Sequence, residues 1–125
     1  MFKINIITAF PEVFPGFLDV SILAKARQKK IWDLNTIDLK KFTSQTKSID
    51  DNPFGGGPGM VIRPDVIEKA MESILLKDDK VCKVFLTPSG KRLNQKKLED
   101  LSKNEAILIL CGRFEGVDQR AIETL

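Results

Sequence analysis

The segment least suited to a packed core lies between residues 50 and 60 and reads DDNPFGGGPGM. Within seven of its positions stand four glycines and two prolines: Pro53, Gly55, Gly56, Gly57, Pro58 and Gly59. Glycine and proline at this density are typical of a tight loop whose backbone can approach a ligand or another chain closely. Neither a Lys-Ser/Thr pair nor the spacing GxGxxG is present, which disfavours a phosphate-binding loop. Two interpretations stay open, a binding loop and a plain connector.

A second candidate is the turn that follows an apolar run, with the sequence FLTPSG at residues 85–90. Pro88 and Gly90 interrupt the run and leave backbone N–H and C=O groups exposed. Backbone groups of this kind can hydrogen-bond an adenine edge or a ribose without a charged side chain. Taken alone, the same pattern also describes an ordinary turn between a strand and a helix.

A third candidate follows the last apolar run and reads CGRFEGVDQR at residues 111–120. Two glycines flank a cation, an aromatic ring and a carboxylate, which stand at Arg113, Phe114 and Glu115. A base-stacking face, a cation and a hydrogen-bond acceptor in one short loop suit recognition of a nucleobase. The alternative is a surface Arg–Glu pair, with Phe114 buried in the core.

The charge balance favours a polyanionic partner only weakly. Twenty basic residues against seventeen acidic ones give a formal net charge of +3, and many proteins with such a balance bind no nucleic acid. The basic residues fall into three clusters, which are Lys25, Arg27, Lys29 and Lys30; Lys40, Lys41 and Lys47; and Lys91, Arg92, Lys96 and Lys97. A solvated face is the simplest interpretation of any one of them.

The sequence argues against a metal site and against a membrane-spanning segment. It has no histidine, and its two cysteines, Cys82 and Cys111, form no CxxC pair, so we expect reduced core thiols and no metal site. The amino-terminal residues MFKINIITAF lack the basic and long apolar regions of a signal peptide, and no apolar run is long enough to span a bilayer. We therefore expect a cytoplasmic protein without a membrane partner.

Apolar runs predict buried strands at residues 4–8, 81–87 and 106–111, with a fourth strand near 34–39. Helices are expected from Pro64 through an apolar stripe to Leu75, from a cap at Ser21 to Arg27, from a cap at Asn94 to Leu101, and from Val117. Alternating strands and helices predict one α/β domain with a mostly parallel sheet flanked by helices. Ligands of such sheets bind at the carboxyl ends of the strands, where the second and third candidate segments lie.

The sequence ends at residues 121–125 inside a helical pattern, without a glycine, asparagine or proline to terminate it. Helices commonly end at such residues. We therefore expect the chain to be the first part of a longer protein.

In this order, the segments IITAFPEVF, DDNPFGGGPGM, FLTPSGKRL and LILCGRFEGVDQR resemble the bacterial tRNA (guanine-N1) methyltransferases of the SPOUT superfamily. The resemblance covers essentially the whole chain. It implies transfer of a methyl group from S-adenosylmethionine to N1 of the guanosine immediately 3′ of the tRNA anticodon, by a homodimer. It also implies a SPOUT-type fold with a trefoil knot, which is an exception to the rule against knotted chains. Residues 1–125 would then be an incomplete cofactor-binding domain that ends before the knot closes. The carboxyl-terminal tRNA-binding domain of the family would be absent from these residues.

The resemblance also implies roles for individual residues. The adenosine pocket is expected at Phe85, Leu86, Thr87 and Pro88, with Gly112 contacting the cofactor through its backbone. The guanine is expected to meet Glu115, Arg113 and the loop of Gly55, Gly56, Gly57, Pro58 and Gly59. Phe85 and Phe114 stand where the family often has tyrosine, so a phenolic hydrogen bond is absent there. The family's aspartate base and its assisting arginine lie beyond Leu125, so no catalytic residue is assigned to Asp50, Asp51 or Asp118.

Two other classes of protein compete with this interpretation. A non-catalytic basic RNA-binding or interaction module would bind tRNA without affinity for the cofactor, whereas a phosphate-binding enzyme is disfavoured by the missing glycine-loop fingerprints. For the methyltransferase we expect little or no activity from these 125 residues alone, and full turnover of a guanosine-containing tRNA would contradict that expectation. We also expect open strand edges to promote aggregation; a sharp, reversible and concentration-independent thermal transition would argue against it.

Overall fold

The computed structural model describes residues 1–42, 50–51, 61–62, 64–75 and 81–112. Six strands lie in these ranges: β1 (Phe2–Thr8), β2 (Trp32–Asp38), β3 (Asp50–Asp51), β4 (Val61–Ile62), β5 (Val81–Phe85) and β6 (Ala106–Leu110). Four of them form a parallel sheet in the order β2-β1-β6-β5, and β3 pairs with β4 in a separate antiparallel pair. The expected α/β class with a mostly parallel sheet is confirmed.

Three α-helices alternate with these strands: α1 (Ser21–Gln28), α2 (Pro64–Leu75) and α3 (Gln95–Ser102). Short 3-10 helices occupy Pro11–Val13, Gly16–Asp19 and Leu39–Phe42. Within the described ranges, no helix has the length and apolar character needed to cross a membrane. Because parallel strands require crossover connections, α1 joins β1 to β2 and α3 joins β5 to β6.

The main core lies between α2 and one face of the sheet. Alternate residues of a strand point to the same face, and Ile7, Leu108 and Leu110 are buried on the face that α2 covers. The apolar stripe of α2 completes this core with Val66, Ile67, Ala70, Met71 and Ile74. Burial of each large side chain contributes about 1.5–3 kcal/mol, so this layer is the principal source of stability among the described residues.

The opposite face of the sheet is less completely covered. Ile6, Trp32 and Ile107 are buried there, whereas Ile4 and Ile109 remain partly exposed. Neither α1 nor α3 has a buried residue of its own. This face of the sheet is therefore more accessible to solvent than the face that α2 covers.

Helix α1 is tied to β2 by its carboxyl-terminal half. The Trp32 indole N–H donates to the Leu23 carbonyl at 3.1 Å, and the Arg27 guanidinium lies 5.7 Å from the centre of the Trp32 ring. Arg27 Nε also donates to Asp33 Oδ1 at 3.0 Å. The Leu34 backbone N–H and Arg27 together hold the pKa of the Asp33 carboxyl below its ordinary range. Arg27 therefore has a structural role within the first basic cluster.

The expected boundaries agree with the structure at most elements. Helix α2 has the expected bounds, and the Asn94 side chain caps α3 by accepting from the Lys97 backbone N–H at 2.9 Å. Ser21 as a helix cap is wrong, because it is the first residue of α1 and extended Val20 occupies the cap position, with no side-chain hydrogen bond to cap the helix. Both cysteines are free, but they are partly buried rather than core residues. The helix expected from Val117 lies outside the described residues.

Candidate functional site

The carboxyl ends of the parallel strands meet at one edge of the sheet, which we call the carboxyl edge. Thr8, Phe85 and Leu110 end three neighbouring strands there. Hydrogen bonds extend the sheet slightly beyond them, since the Cys111 N–H donates to the Ile7 carbonyl at 3.0 Å and the Leu86 N–H donates to the Leu110 carbonyl at 3.4 Å. The turn after β5 and the residues after β6 thus leave the sheet side by side.

A compact turn follows β5 at this edge. The Gly90 N–H donates to the Thr87 carbonyl at 3.2 Å, and the Ser89 N–H donates to Thr87 Oγ1 at 3.3 Å. The hydroxyls of Thr87 and Ser89 lie 3.0 Å apart. A Cβ atom at position 90 would stand 3.3 Å from the Thr87 carbonyl oxygen, so glycine permits the close approach of backbone that this turn needs. The turn is held by its own hydrogen bonds.

Leu86 and Gly112 are exposed to solvent beside that turn. The Leu86 side chain is 57% exposed, and Gly112 is exposed at the end of the adjacent strand. In the part of the chain that the structure describes, the Leu86 carbonyl and the Gly112 N–H have no hydrogen-bond partner. An exposed apolar side chain next to an unpaired acceptor and an unpaired donor can hold one face and one edge of a planar heterocycle.

The other expected pocket residues have different surroundings. Phe85 is partly buried and packs against the main core, so its ring belongs to the α2 side of the sheet. Pro88 is exposed and Thr87 is partly buried. Of the expected cofactor residues, Leu86, Thr87, Pro88 and Gly112 therefore border the open side of the carboxyl edge, while Phe85 supports it from the core.

The buried Thr8 at this edge was not anticipated from the sequence. Thr8 is buried although it is polar, and its Oγ1 accepts from the Phe10 N–H at 3.1 Å, which turns the chain away from β1. The signal for this role was its position at the end of a strand immediately before Ala9-Phe10-Pro11. Burial raises the pKa of the Cys111 thiol, so this residue between β6 and Gly112 stays protonated over a wider pH range.

All seven residues expected at the guanine lie outside the described residues: Gly55, Gly56, Gly57, Pro58, Gly59, Arg113 and Glu115. The glycine-rich segment is nevertheless bracketed by described backbone, because β3 and β4 pair with Asp50 opposite Ile62 and Asp51 opposite Val61. No group of three or more residues suited to hold a metal ion occurs in the ranges given above.

A cavity of about 420 Å³ lies away from the carboxyl edge, on the α2 side of the sheet. Its lining includes Lys3, Asn5 and Ala106 near the amino ends of strands. Phe42, Ile74 and Val81 also line it, and they border segments 43–49 and 76–80, which the structure does not describe. The cavity contains none of the expected cofactor residues, so it does not mark the same site.

Comparison with known proteins identifies relatives along the whole chain. The family model described as "tRNA (Guanine-1)-methyltransferase TrmD" matches residues 2–125. A tRNA (guanine-N(1)-)-methyltransferase of Wolbachia pipientis subsp. Culex pipiens (strain wPip) is 46% identical over 98% of this chain and 53% of the relative. The enzyme of the same description from Ehrlichia ruminantium (strain Gardel) is 45% identical over 98% of this chain and 53% of the relative.

A solved structure gives the same result for the fold. The crystal structure of tRNA (m1G37) methyltransferase from Aquifex aeolicus matches with a TM-score of 0.88 and 35% identity, covering 99% of this chain and 56% of that one. The chain spans about half the length of the curated relatives it matches. Because the family model covers nearly every residue, the chain belongs to the tRNA (guanine-N1)-methyltransferase family, with the SPOUT-type α/β fold of its structural relative.

Proposed function

We propose that these 125 residues form the cofactor-binding part of a tRNA (guanine-N1) methyltransferase that modifies the guanosine immediately 3′ of the anticodon. The observation that carries the proposal is the family match over residues 2–125. S-adenosylmethionine is the proposed methyl donor, tRNA the substrate, and residues 1–125 part of a single cofactor-binding domain. A homodimer in the cytoplasm, with a trefoil knot in the complete domain, is the proposed form of the enzyme.

The residues at the carboxyl edge fit the adenosine of this donor. Leu86 is an exposed apolar side chain for the adenine face, and its carbonyl, which has no partner in the described ranges, is an acceptor for an exocyclic amine. Gly112 has no side chain that would occupy the same space, and its N–H is an available donor. The hydrogen-bonded turn at Thr87 keeps these groups in place without the ligand, which lowers the entropic cost of binding.

The proposed chemistry at the guanine needs an acceptor, a base and charge stabilisation. When bound, S-adenosylmethionine supplies an electrophilic methyl group, which N1 of guanine attacks while the carbon–sulfur bond breaks and S-adenosylhomocysteine leaves. Glu115 is proposed to accept from the N1–H and the 2-amino group, with Arg113 beside it and the loop of residues 55–59 against the flipped base. The proton of N1 must pass to a general base, and none of the acids in this chain is assigned that role.

Calorimetric titration with S-adenosylhomocysteine tests the cofactor site on the 125-residue chain. We expect the parent chain to bind, Gly112→Ala to weaken binding, and Gly112→Val to abolish it, because a larger side chain fills the space beside Leu86. Glu105→Val is the matched control, since Glu105 is exposed just before the opposite end of the same strand. The control should bind like the parent.

The outcomes separate the competing functions. No binding by the folded parent chain, or equal affinity for the parent and Gly112→Val, would contradict the cofactor site. Binding of tRNA without any affinity for S-adenosylhomocysteine would instead support a non-catalytic RNA-binding module. Circular dichroism of each variant establishes that it has folded.

A further inference from the structure

Four cations follow the candidate cofactor turn without an acidic residue among them. They are Lys91, Arg92, Lys96 and Lys97, and residues 86–98 contain neither aspartate nor glutamate. Lys91, Arg92 and Lys96 are exposed, whereas Lys97 is partly buried. We call these four residues the α3 basic cluster. Their charge is concentrated over seven residues of a chain whose overall balance is only +3.

The α3 basic cluster has no ion-pair partner among the described residues. The acidic residue Asp100 lies one turn along α3, but its ion pair is with Lys103, at 3.8 Å. No ion pair joins Lys96 to Glu99 or to Asp100, although these spacings place side chains on one face of a helix. The charge of the cluster is therefore left for a partner outside these residues.

Two of the cations, Lys96 and Lys97, stand in the first turn of α3, where acidic residues are preferred. The first turn of α3 carries Lys96 and Lys97 and no acidic residue, whereas the helix dipole favours acidic side chains at the amino end of a helix. Asn94 provides the cap, so the lysines are not needed to start the helix. A sequence that departs from such a rule is expected to do so where function requires it, and a bound anion would offset the unfavourable charge.

The topology places the α3 basic cluster at the carboxyl edge. Strand β5 ends at that edge, and α3 runs back toward the amino end of β6 at Ala106. Lys91 and the first turn of α3 therefore lie at the end of the sheet that holds Leu86 and Gly112. An anion bound to these cations is close to the proposed cofactor site.

The first basic cluster lies at the opposite edge. Lys29 and Lys30 follow α1 just before β2 begins at Trp32, which pairs with Phe2 at the start of β1. The seven residues of β1 span about 23 Å, more than twice the screening length of about 8–10 Å in physiological salt. Arg27 of this cluster is already paired with Asp33. The charge of the first cluster is therefore screened from the carboxyl edge.

From this placement we propose that the α3 basic cluster binds the ribose-phosphate backbone of the tRNA and guides it to the cofactor site. The inference rests on the proposed function and names the surface of the chain that holds the substrate. Lys91 and Arg92 contact phosphates beside the target nucleotide, and Lys96 and Lys97 extend the contact along the first turn of α3. These contacts carry affinity and not sequence recognition.

Fluorescence anisotropy with a labelled tRNA transcript, measured over a range of salt concentrations, tests the proposal on the 125-residue chain. The test variant is Lys91→Gln/Arg92→Gln/Lys96→Gln, which leaves the partly buried Lys97 unchanged. The matched control is Lys25→Gln/Lys29→Gln/Lys30→Gln, at three exposed positions of the first cluster. Both variants lower the formal net charge from +3 to zero, so they differ only in where the charge is removed.

We expect the test variant to bind tRNA about tenfold or more weakly than the parent, with a salt slope smaller by about two to three. The control should retain most of the parent's affinity and slope. Equal losses in the two variants, an unchanged test variant, or no tRNA binding by the folded parent would overturn the proposal. Titration with S-adenosylhomocysteine separates its failure from that of the proposed function: a test variant that binds it normally while both variants lose tRNA equally contradicts only the basic surface.

Discussion

At the scale of single residues, the carboxyl edge depends on groups that are held in place before any ligand arrives. The Thr87 hydroxyl and carbonyl both accept backbone N–H groups of the same turn, from Ser89 and Gly90. Leu86 has an exposed side chain, and its carbonyl has no hydrogen-bond partner among the residues that the structure describes. The proposed cofactor site relies on preorganised backbone groups more than on charge, so its residue types alone do not distinguish it from an ordinary turn.

The thiol next to this site has an expected pH dependence. Burial raises the pKa of Cys111, so its thiolate is disfavoured in the folded chain and alkylation by iodoacetamide should be slow at neutral pH. In a Cys82→Ser background, we expect the alkylation rate to rise with pH and to level off at a higher pH than in the urea-unfolded chain. Mass spectrometry of timed samples measures both rates.

The raised pKa of Cys111 also makes the stability of the folded chain depend on pH. Because the folded-state pKa is above the unfolded one, the contribution of Cys111 is fully present below the ordinary thiol pKa and is lost as the pH rises through the folded-state pKa. Cys111→Ala should remove this alkaline loss. Identical alkylation profiles for the folded and unfolded chains would contradict the assigned burial.

At the scale of elements, α1 ends in a hydrogen-bond pattern that usually contains glycine. The Lys30 N–H donates to the Arg27 carbonyl at 3.0 Å, and the Ile31 N–H donates to the Ala26 carbonyl at 3.0 Å. This pair of bonds defines a Schellman motif, in which the residue after the cap adopts left-handed backbone angles. Lys30 occupies that position with φ 60°, where a side chain is strained.

We expect Lys30→Gly to stabilise the chain by up to about 1 kcal/mol, because glycine adopts left-handed angles without the Cβ penalty. Lys29→Gly is the matched control: Lys29 is also exposed but has φ −81°, so there glycine only adds freedom to the unfolded chain and should destabilise it. Urea unfolding followed by circular dichroism gives both free energies of unfolding. Destabilisation by both substitutions would contradict the left-handed assignment of Lys30.

The elements themselves were largely predictable, whereas several of their ends were not. Helix α2 could be predicted because Pro64 and its apolar stripe agree, but β2 begins at Trp32, where alternating polar residues such as Asp33 hide the strand. Strand β5 ends at Phe85, two residues before the expected end, together with its neighbour β6 at Leu110. Strand ends depend on the paired strand, which a single-sequence pattern does not contain. For the same reason, the sequence alone does not show that Leu86 and Gly112 lie close together.

At the scale of the whole molecule, the surface between β1 and α1 is unusually apolar. Exposed large hydrophobic side chains occur at Phe10, Val13, Phe17, Val20 and Ile22. Phe17 is 80% exposed and Ile22 is 76% exposed. Monomeric proteins seldom leave so many large apolar side chains together in water, and such patches promote association. We expect this segment to add to the aggregation expected from open strand edges.

We therefore expect Phe17→Ser/Ile22→Ser to reduce concentration-dependent association while changing the free energy of unfolding by less than about 0.5 kcal/mol, because both side chains are already in water. Sedimentation velocity over a range of concentrations measures association, and urea unfolding measures stability. The matched control is Ile7→Ala, at a fully buried position, which should cost about 2–5 kcal/mol through the cavity it leaves. The double variant changes apolar side chains that are exposed to water, whereas the control changes one that is buried in the core. If the double variant lost stability like the control, Phe17 and Ile22 would be packed in solution; if it associated like the parent, the strand edges would be the remaining source of association.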